Sequence, residues 1–183
     1  MWNKAASVIQ NGIRDLFPAY FALVMATGIV SIACHLLGMD YFALPLFYLN
    51  QIFYIVLWLF MLARLVFHFP RFLADLSNHS VGAGFFTLVA VSTGLGRQYV
   101  ILNCDQQTAS FLWILGLAIW LLLIYIFFAV MTLKDEKPPL EKGINGAWLV
   151  AVVSTQSLAV LGALIASHFG AWKDVFLFTV LCF

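Results

Sequence analysis

Five apolar stretches of about twenty residues or more make up most of this chain: Phe17 to Leu37, Leu44 to Phe67, Gly82 to Leu102, Ala109 to Leu133 and Gly146 to Ala166. A hydrocarbon layer about 30 Å thick is crossed by ~20 helical residues, so each stretch is long enough to span a bilayer. A sixth apolar run begins near Val175 and reaches Phe183. Its nine residues rise only ~14 Å as a helix, about half a membrane, so the sequence is expected to end inside a span. The expectation is an all-α integral membrane protein, with residues 1–16 as an interfacial segment and 17–183 as the transmembrane domain.

Composition excludes the soluble alternative. Of 183 residues, 64% are hydrophobic and 9% charged, and the mean hydropathy is +1.01. Soluble domains carry roughly a quarter charged residues, and one of this size cannot hide so much apolar surface. The net charge of +1 and the lack of a basic run argue against a nucleic-acid partner. Cys34, Cys104 and Cys182 have neither CxxC spacing nor a histidine at metal-ligand spacing, so no disulfide framework or metal site is expected. The first apolar stretch is too long for the core of a signal peptide and no small-x-small cleavage site follows it, so it reads as a retained span.

Punctuation between the stretches fits helices. Ser80, Asn145-Gly146 and Asp174 stand where helix N-caps belong, Pro138-Pro139 separates spans four and five, and Pro18 lies just inside the first helix. Val8, Ile9, Ile13, Leu16 and Phe17 fit either a short amphipathic helix on the membrane surface or an unstructured tail. If the spans alternate, Lys4, Arg14, Arg64, Arg71, Lys134, Lys137 and Lys142 share one side, and only Arg97 and Lys173 lie on the other. The excess of basic residues assigns the N-terminus to the cytoplasm.

The spans are not equivalent. The second and fourth are bulky, with Phe53, Tyr54, Trp58 and Phe60 in one and Trp113, Trp120, Tyr125 and Phe127 in the other. The odd-numbered spans carry small and hydroxylated residues at mid-depth instead: Thr27, Gly28 and Ser31 in the first, Ser92, Thr93 and Gly94 in the third, Ser154, Thr155 and Ser157 in the fifth. Thr27 and Thr93 are 66 residues apart and Thr93 and Thr155 are 62 apart, one helical hairpin per repeat. These nine residues are the candidates for lining a pore, with the odd helices inside and the aromatic even helices facing lipid. Small residues also serve as plain helix–helix packing surfaces, and that reading stays open for each of them.

No Asp or Glu lies within a span. Proton and cation pathways usually place carboxylates in the membrane. A neutral conduit of hydroxyl donors and glycine backbone favours anions. Arg97 follows the Ser-Thr-Gly run and either attracts anions or snorkels to the surface; Arg64 reads as an orientation anchor. Asn50 and Gln51 are placed to bond across helices. His35, His68, His79 and His168 fall at span ends or in loops, without the pairing that metal or haem binding needs. No GxSxG, Walker A or GxGxxG motif occurs, so no enzymatic chemistry and no cofactor is expected.

The entry Phe17-Pro18-Ala19-Tyr20-Phe21, the run Met25-Ala26-Thr27-Gly28-Ile29-Val30-Ser31, and Gly146-Ala147-Trp148 followed by Ser154-Thr155-Gln156-Ser157 resemble the tellurite-resistance/dicarboxylate transporter family, which includes the plant slow anion channels. The resemblance implies ten helices in five hairpins around a pore lined by the odd helices, in a homotrimer. This chain supplies the first five to six of those spans; the ninth helix, with the phenylalanine that obstructs the family's pore, has no counterpart in it. The function implied is transport of small inorganic anions or C4-dicarboxylates across the bacterial inner membrane. The rival readings are a non-transporting membrane scaffold and a non-functional fragment of the transporter.

Overall fold

The computed structural model describes residue 10 and residues 12–78, 81–133, 146–168 and 172–182. All the regular elements among them are helical. The first span is a 3-10 turn, Pro18–Phe21, running into α1 (Ala22–Leu36). Helix α2 is Asp40–Phe67, and a short α3, Phe69–Leu76, follows it directly. The third span is a 3-10 turn, Gly82–Phe86, running into α4 (Thr87–Asn103). Helix α5 is Gln106–Leu133. The fifth span runs from a 3-10 turn, Gly146–Trp148, through α6 (Leu149–Ile165) to a second 3-10 turn, Ala166–His168. Helix α7 is Trp172–Cys182.

Each odd-numbered span thus opens on a 3-10 turn, and neither of the even-numbered spans, formed by α2 and α5, does. The hairpin repeat read from Thr27, Thr93 and Thr155 therefore extends to backbone conformation. The entry turns are held together: Thr87 Oγ1 donates to Pro18 O at 3.0 Å, and Phe127 packs its ring against Phe86 and Trp148 with centroids 5.6 and 4.9 Å apart.

Helix α4 is the centre of the packing, touching α1, α2, α5 and α6. The odd-numbered spans form a row, α1 on α4 and α4 on α6, with α2 packed on α1, α5 on α4 and α6, and α7 on α6. Only the third span is mostly enclosed, 67% of it being buried. The first is 22% buried, as is the second, so enclosure separates α4 from the other spans rather than odd from even. Leu23, Ile29, Val30 and Leu36 are the large exposed side chains of α1.

Several boundaries differ from those expected. Helix α2 begins at Asp40 rather than Leu44, because Pro45 lies close enough to the N-terminus for its missing N–H to remove a single early hydrogen bond. Asp174 lies in the first turn of α7 instead of capping it, where its charge complements the helix dipole. Residues 1–9, Ser80 and Asn145, to which a surface helix and two caps were assigned, lie outside the described residues. Helix α3 was not expected at all. His68 breaks the α2 ladder, Pro70 fits the first turn of a new helix, and Phe69, Phe72, Leu73 and Leu76 recur at i, i+3, i+4 and i+7. Gly82 lets α3 dock on the third span, since a Cβ there would meet Leu76 O at 2.6 Å.

Candidate functional site

Helices α1 and α4 run parallel. Pro18 meets Thr87 at one end, and Gly28, ten residues on, lies against Gln98, eleven residues on. Between them runs an open furrow of about 310 Å³, lined on α1 by Val24, Gly28 and Ile32 among others and on α4 by Ala90, Gly94 and Arg97. Arg97 is its one charged lining residue; the rest of the lining is apolar or glycine.

Behind Gly28 sits a buried amide pair. Asn50 Nδ2, from α2, donates to Gln98 Oε1, from α4, at 2.6 Å. The two remaining amide atoms, Asn50 Oδ1 and Gln98 Nε2, are buried without a partner. A Cβ on Gly28 would stand 3.1 Å from Asn50 Nδ2 and 3.4 Å from Gln98 Oε1, so glycine is what lets α1 close over the pair.

The nine candidate residues are distributed as follows. Gly28 and Gly94 line the furrow. Thr27 is half-buried and donates to Leu23 O at 2.9 Å. Ser31 is buried and donates to Ala43 O of α2 at 2.8 Å. Ser92 donates to Leu88 O at 2.8 Å, and its oxygen is 3.0 Å from Tyr54 Oη of α2. Thr93 bonds Val89 O and Ala90 O at 3.0 and 3.2 Å. Ser154 donates to Ala151 O at 2.7 Å, and Ser157 is buried. Thr155 donates to Ala151 O at 3.0 Å and accepts from Trp120 Nε1 of α5 at 2.9 Å. The structure therefore brings Gly28 and Gly94 to one surface, and it engages Ser31, Ser92 and Thr155 in contacts between helices.

A pattern follows from these contacts. A carbonyl can only accept, so each of the six hydroxyls from Thr27 to Thr155 donates its hydrogen bond to a backbone carbonyl. What remains on each oxygen is lone pairs, and two of them receive an aromatic anchor from the preceding even helix: Tyr54 to Ser92 and Trp120 to Thr155. Tyr54 and Trp120 are 66 residues apart, so this anchor repeats with the hairpin.

At the Pro18 end the charges are paired. Buried Arg64 donates to Leu16 O at 2.7 Å and forms an ion pair with Asp75 of α3, while Arg71 and Arg14 both reach Asp15. The hydrogen bond from Arg14 is the main cause holding the Asp15 carboxyl below the ordinary range, with the nearby guanidinium charges adding to it. Arg64 is thus a fastener of the α2–α3 corner as well as a charge near the membrane surface.

Sequence reasoning picked out Asn50 as a cross-helix bonding residue but missed its partner. Gln98 is one of few amides inside an apolar span, which is the signal that was available. Among the described residues, no group of three or more His, Cys, Asp or Glu is gathered to hold a metal ion.

The model of the voltage-dependent anion channel family matches residues 15–183. The chain belongs to that family. Two relatives in the archaeon Methanocaldococcus jannaschii are each described as an uncharacterized transporter: one is 27% identical over 170 residues, 89% of this chain and 48% of the relative, and the other 25% identical over 174 residues, 91% of this chain and 50% of the relative. The chain spans about half the length of these curated relatives. No solved structure matches it. As a member of the voltage-dependent anion channel family with four helices long and apolar enough to cross a membrane among its described residues, it is a multi-pass membrane protein. The family is the one to which the Pro18 entry and the Thr27-Gly28 run pointed.

Proposed function

We infer that the full-length protein moves small inorganic anions or C4-dicarboxylates across the inner (plasma) membrane through a conduit walled by its odd-numbered spans, without a covalent step. The observation that carries this reading is the furrow itself: on a chain of an anion-channel family, two parallel odd-numbered spans leave an open surface between them, with glycines at Gly28 and Gly94. Thr27, Ser31, Ser92, Thr93, Ser154, Thr155 and Ser157 shape the wall, fixing how closely neighbouring helices approach. The N-terminus lies in the cytoplasm, in keeping with the side shared by Arg14, Arg64 and Arg71, and three copies assemble.

Cysteine scanning in the full-length protein tests it. Small charged thiol reagents should block anion flux in liposomes through cysteines at Ile29, Ile32 and Gly94, which line the furrow, and leave unaffected those at Leu59 and Leu121, which are exposed on the even-numbered spans. Equal responses from both sets would refute the conduit.

A further inference from the structure

We propose that Arg97 is the residue that coordinates the anion in the furrow between α1 and α4. This rests on the conduit reading and deepens it by assigning the charge that selects. Arg14, Arg64 and Arg71 are each paired with Asp15 or Asp75. Arg97 has no ion pair among the described residues, and its Nε is buried without a hydrogen-bond partner. A guanidinium against an apolar wall and unpaired is costly, and an anion arriving beside it relieves that cost.

Arg97 lies six residues before the end of α4, so its Cα is about 9 Å from that end along the axis. A snorkelling arginine reaches for the nearer surface. Here Nη2 lies 3.7 Å from where a Cβ of Gly94 would be, nearly one turn further into the span, because long helical side chains lean towards the N-terminus. Gly94 leaves the room that this inward conformation uses, and Ile32, Ala33 and Leu36 of α1 line the furrow with it.

The hydroxyls reinforce the assignment. None of them lines the furrow, and the protons of Thr27, Ser92 and Thr93 are committed to backbone carbonyls, so Arg97 is the polar side chain that the furrow offers an anion. Guanidinium N–H groups are strong, charge-assisted donors suited to planar oxyanions, and a single one can replace part of the hydration shell of nitrate or a halide.

Nitrate is the probe, and the full-length protein the material. In detergent, nitrate should raise the unfolding temperature of the wild type, and the half-saturating concentration should rise about tenfold or more in Arg97→Gln and less in Arg97→Lys. In liposomes, Arg97→Cys should regain anion flux with a cationic thiol reagent and lose it further with an anionic one; this variant acquires its charge after folding. Nitrate binding in Arg97→Gln that equals the wild type, or indifference of Arg97→Cys to the sign of the reagent, overturns the assignment. Wild-type protein that binds nitrate through Arg97 but passes no anions would refute the conduit alone. Anion flux that survives Arg97→Gln unchanged would refute Arg97 alone.

Discussion

Asn50 and Gln98 join α2 to α4 through a 2.6 Å amide–amide hydrogen bond, and the backbone of Gly28 on α1 closes over both. Three helices therefore meet at one buried polar point. Replacing Gln98 by Leu leaves the Asn50 amide desolvated and unpaired, which should cost about 1–3 kcal/mol. The double variant Asn50→Leu with Gln98→Leu should cost less than the two single changes together. Unfolding of the protein in detergent measures all three, and strict additivity would mean that the bond is not formed.

Gly162 lies where α6 packs against α7. A Cβ there would stand 2.1 Å from Thr179 Cγ2 and 3.0 Å from Trp113 Nε1. Gly162→Ala is expected to destabilise by about 1–3 kcal/mol through overpacking. Adding Thr179→Ser, which removes the clashing methyl, should recover part of the loss. Gly146→Ala is the control, because nothing lies within 4 Å of its Cβ position.

Asp105 caps α5: its Oδ1 accepts from Thr108 N at 3.0 Å. Asp105→Ala should cost about 1 kcal/mol, and Asp105→Asn, which keeps an acceptor oxygen, much less. The hydrogen bonds from Thr108 hold this carboxyl below its ordinary range. A lowered carboxyl contributes stability that is complete above its unfolded value, near 4, and that disappears as pH falls through the lower folded value. The wild type should therefore lose stability below about pH 4 relative to Asp105→Asn, a difference that thermal unfolding across pH would read.

Cys104 is an exposed free cysteine at the turn between α4 and α5, in a left-handed conformation with φ 53°. With the N-terminus in the cytoplasm, a membrane-impermeant thiol reagent should label Cys104 in intact cells, while a cysteine placed at Lys137 should stay protected. The opposite pattern would invert the orientation.

Most of the architecture was legible because lipid imposes a length and a polarity on each helix. The helices Pro18–Leu36 and Gly82–Asn103 coincide to within a residue or so with the apolar stretches Phe17 to Leu37 and Gly82 to Leu102. The repeat was legible too, since Thr27, Thr93 and Thr155 fall nine, eleven and nine residues after the start of the 3-10 turns that open their spans. The partners were not. Ser31 reaching Ala43, and Trp120 reaching Thr155, depend on how helices rotate about their axes, which hydropathy does not encode. Thr27 and Ser31 share a face by spacing alone, yet one is half-buried on its own turn and the other is buried against α2. Helix α3 went unread because eight residues with Arg71 and Asp75 fall below the length and apolarity at which a span is recognised. Arg97 was visible as a charge; its inward turn is a property of the rotamer.

The 3-10 turns at the mouths of the odd-numbered spans set their reach. With four 3-10 residues and fifteen α-helical ones the first span extends ~30 Å, and with six and seventeen the fifth extends ~37 Å. The α-helical part of the fifth span alone, ~25 Å, would fall short of the hydrocarbon core. Helices α2 and α5, at 28 residues each, extend ~42 Å. Length beyond the bilayer's thickness is taken up by tilting. Helices α2 and α5 therefore have the length to lean in a bilayer that the first span crosses upright.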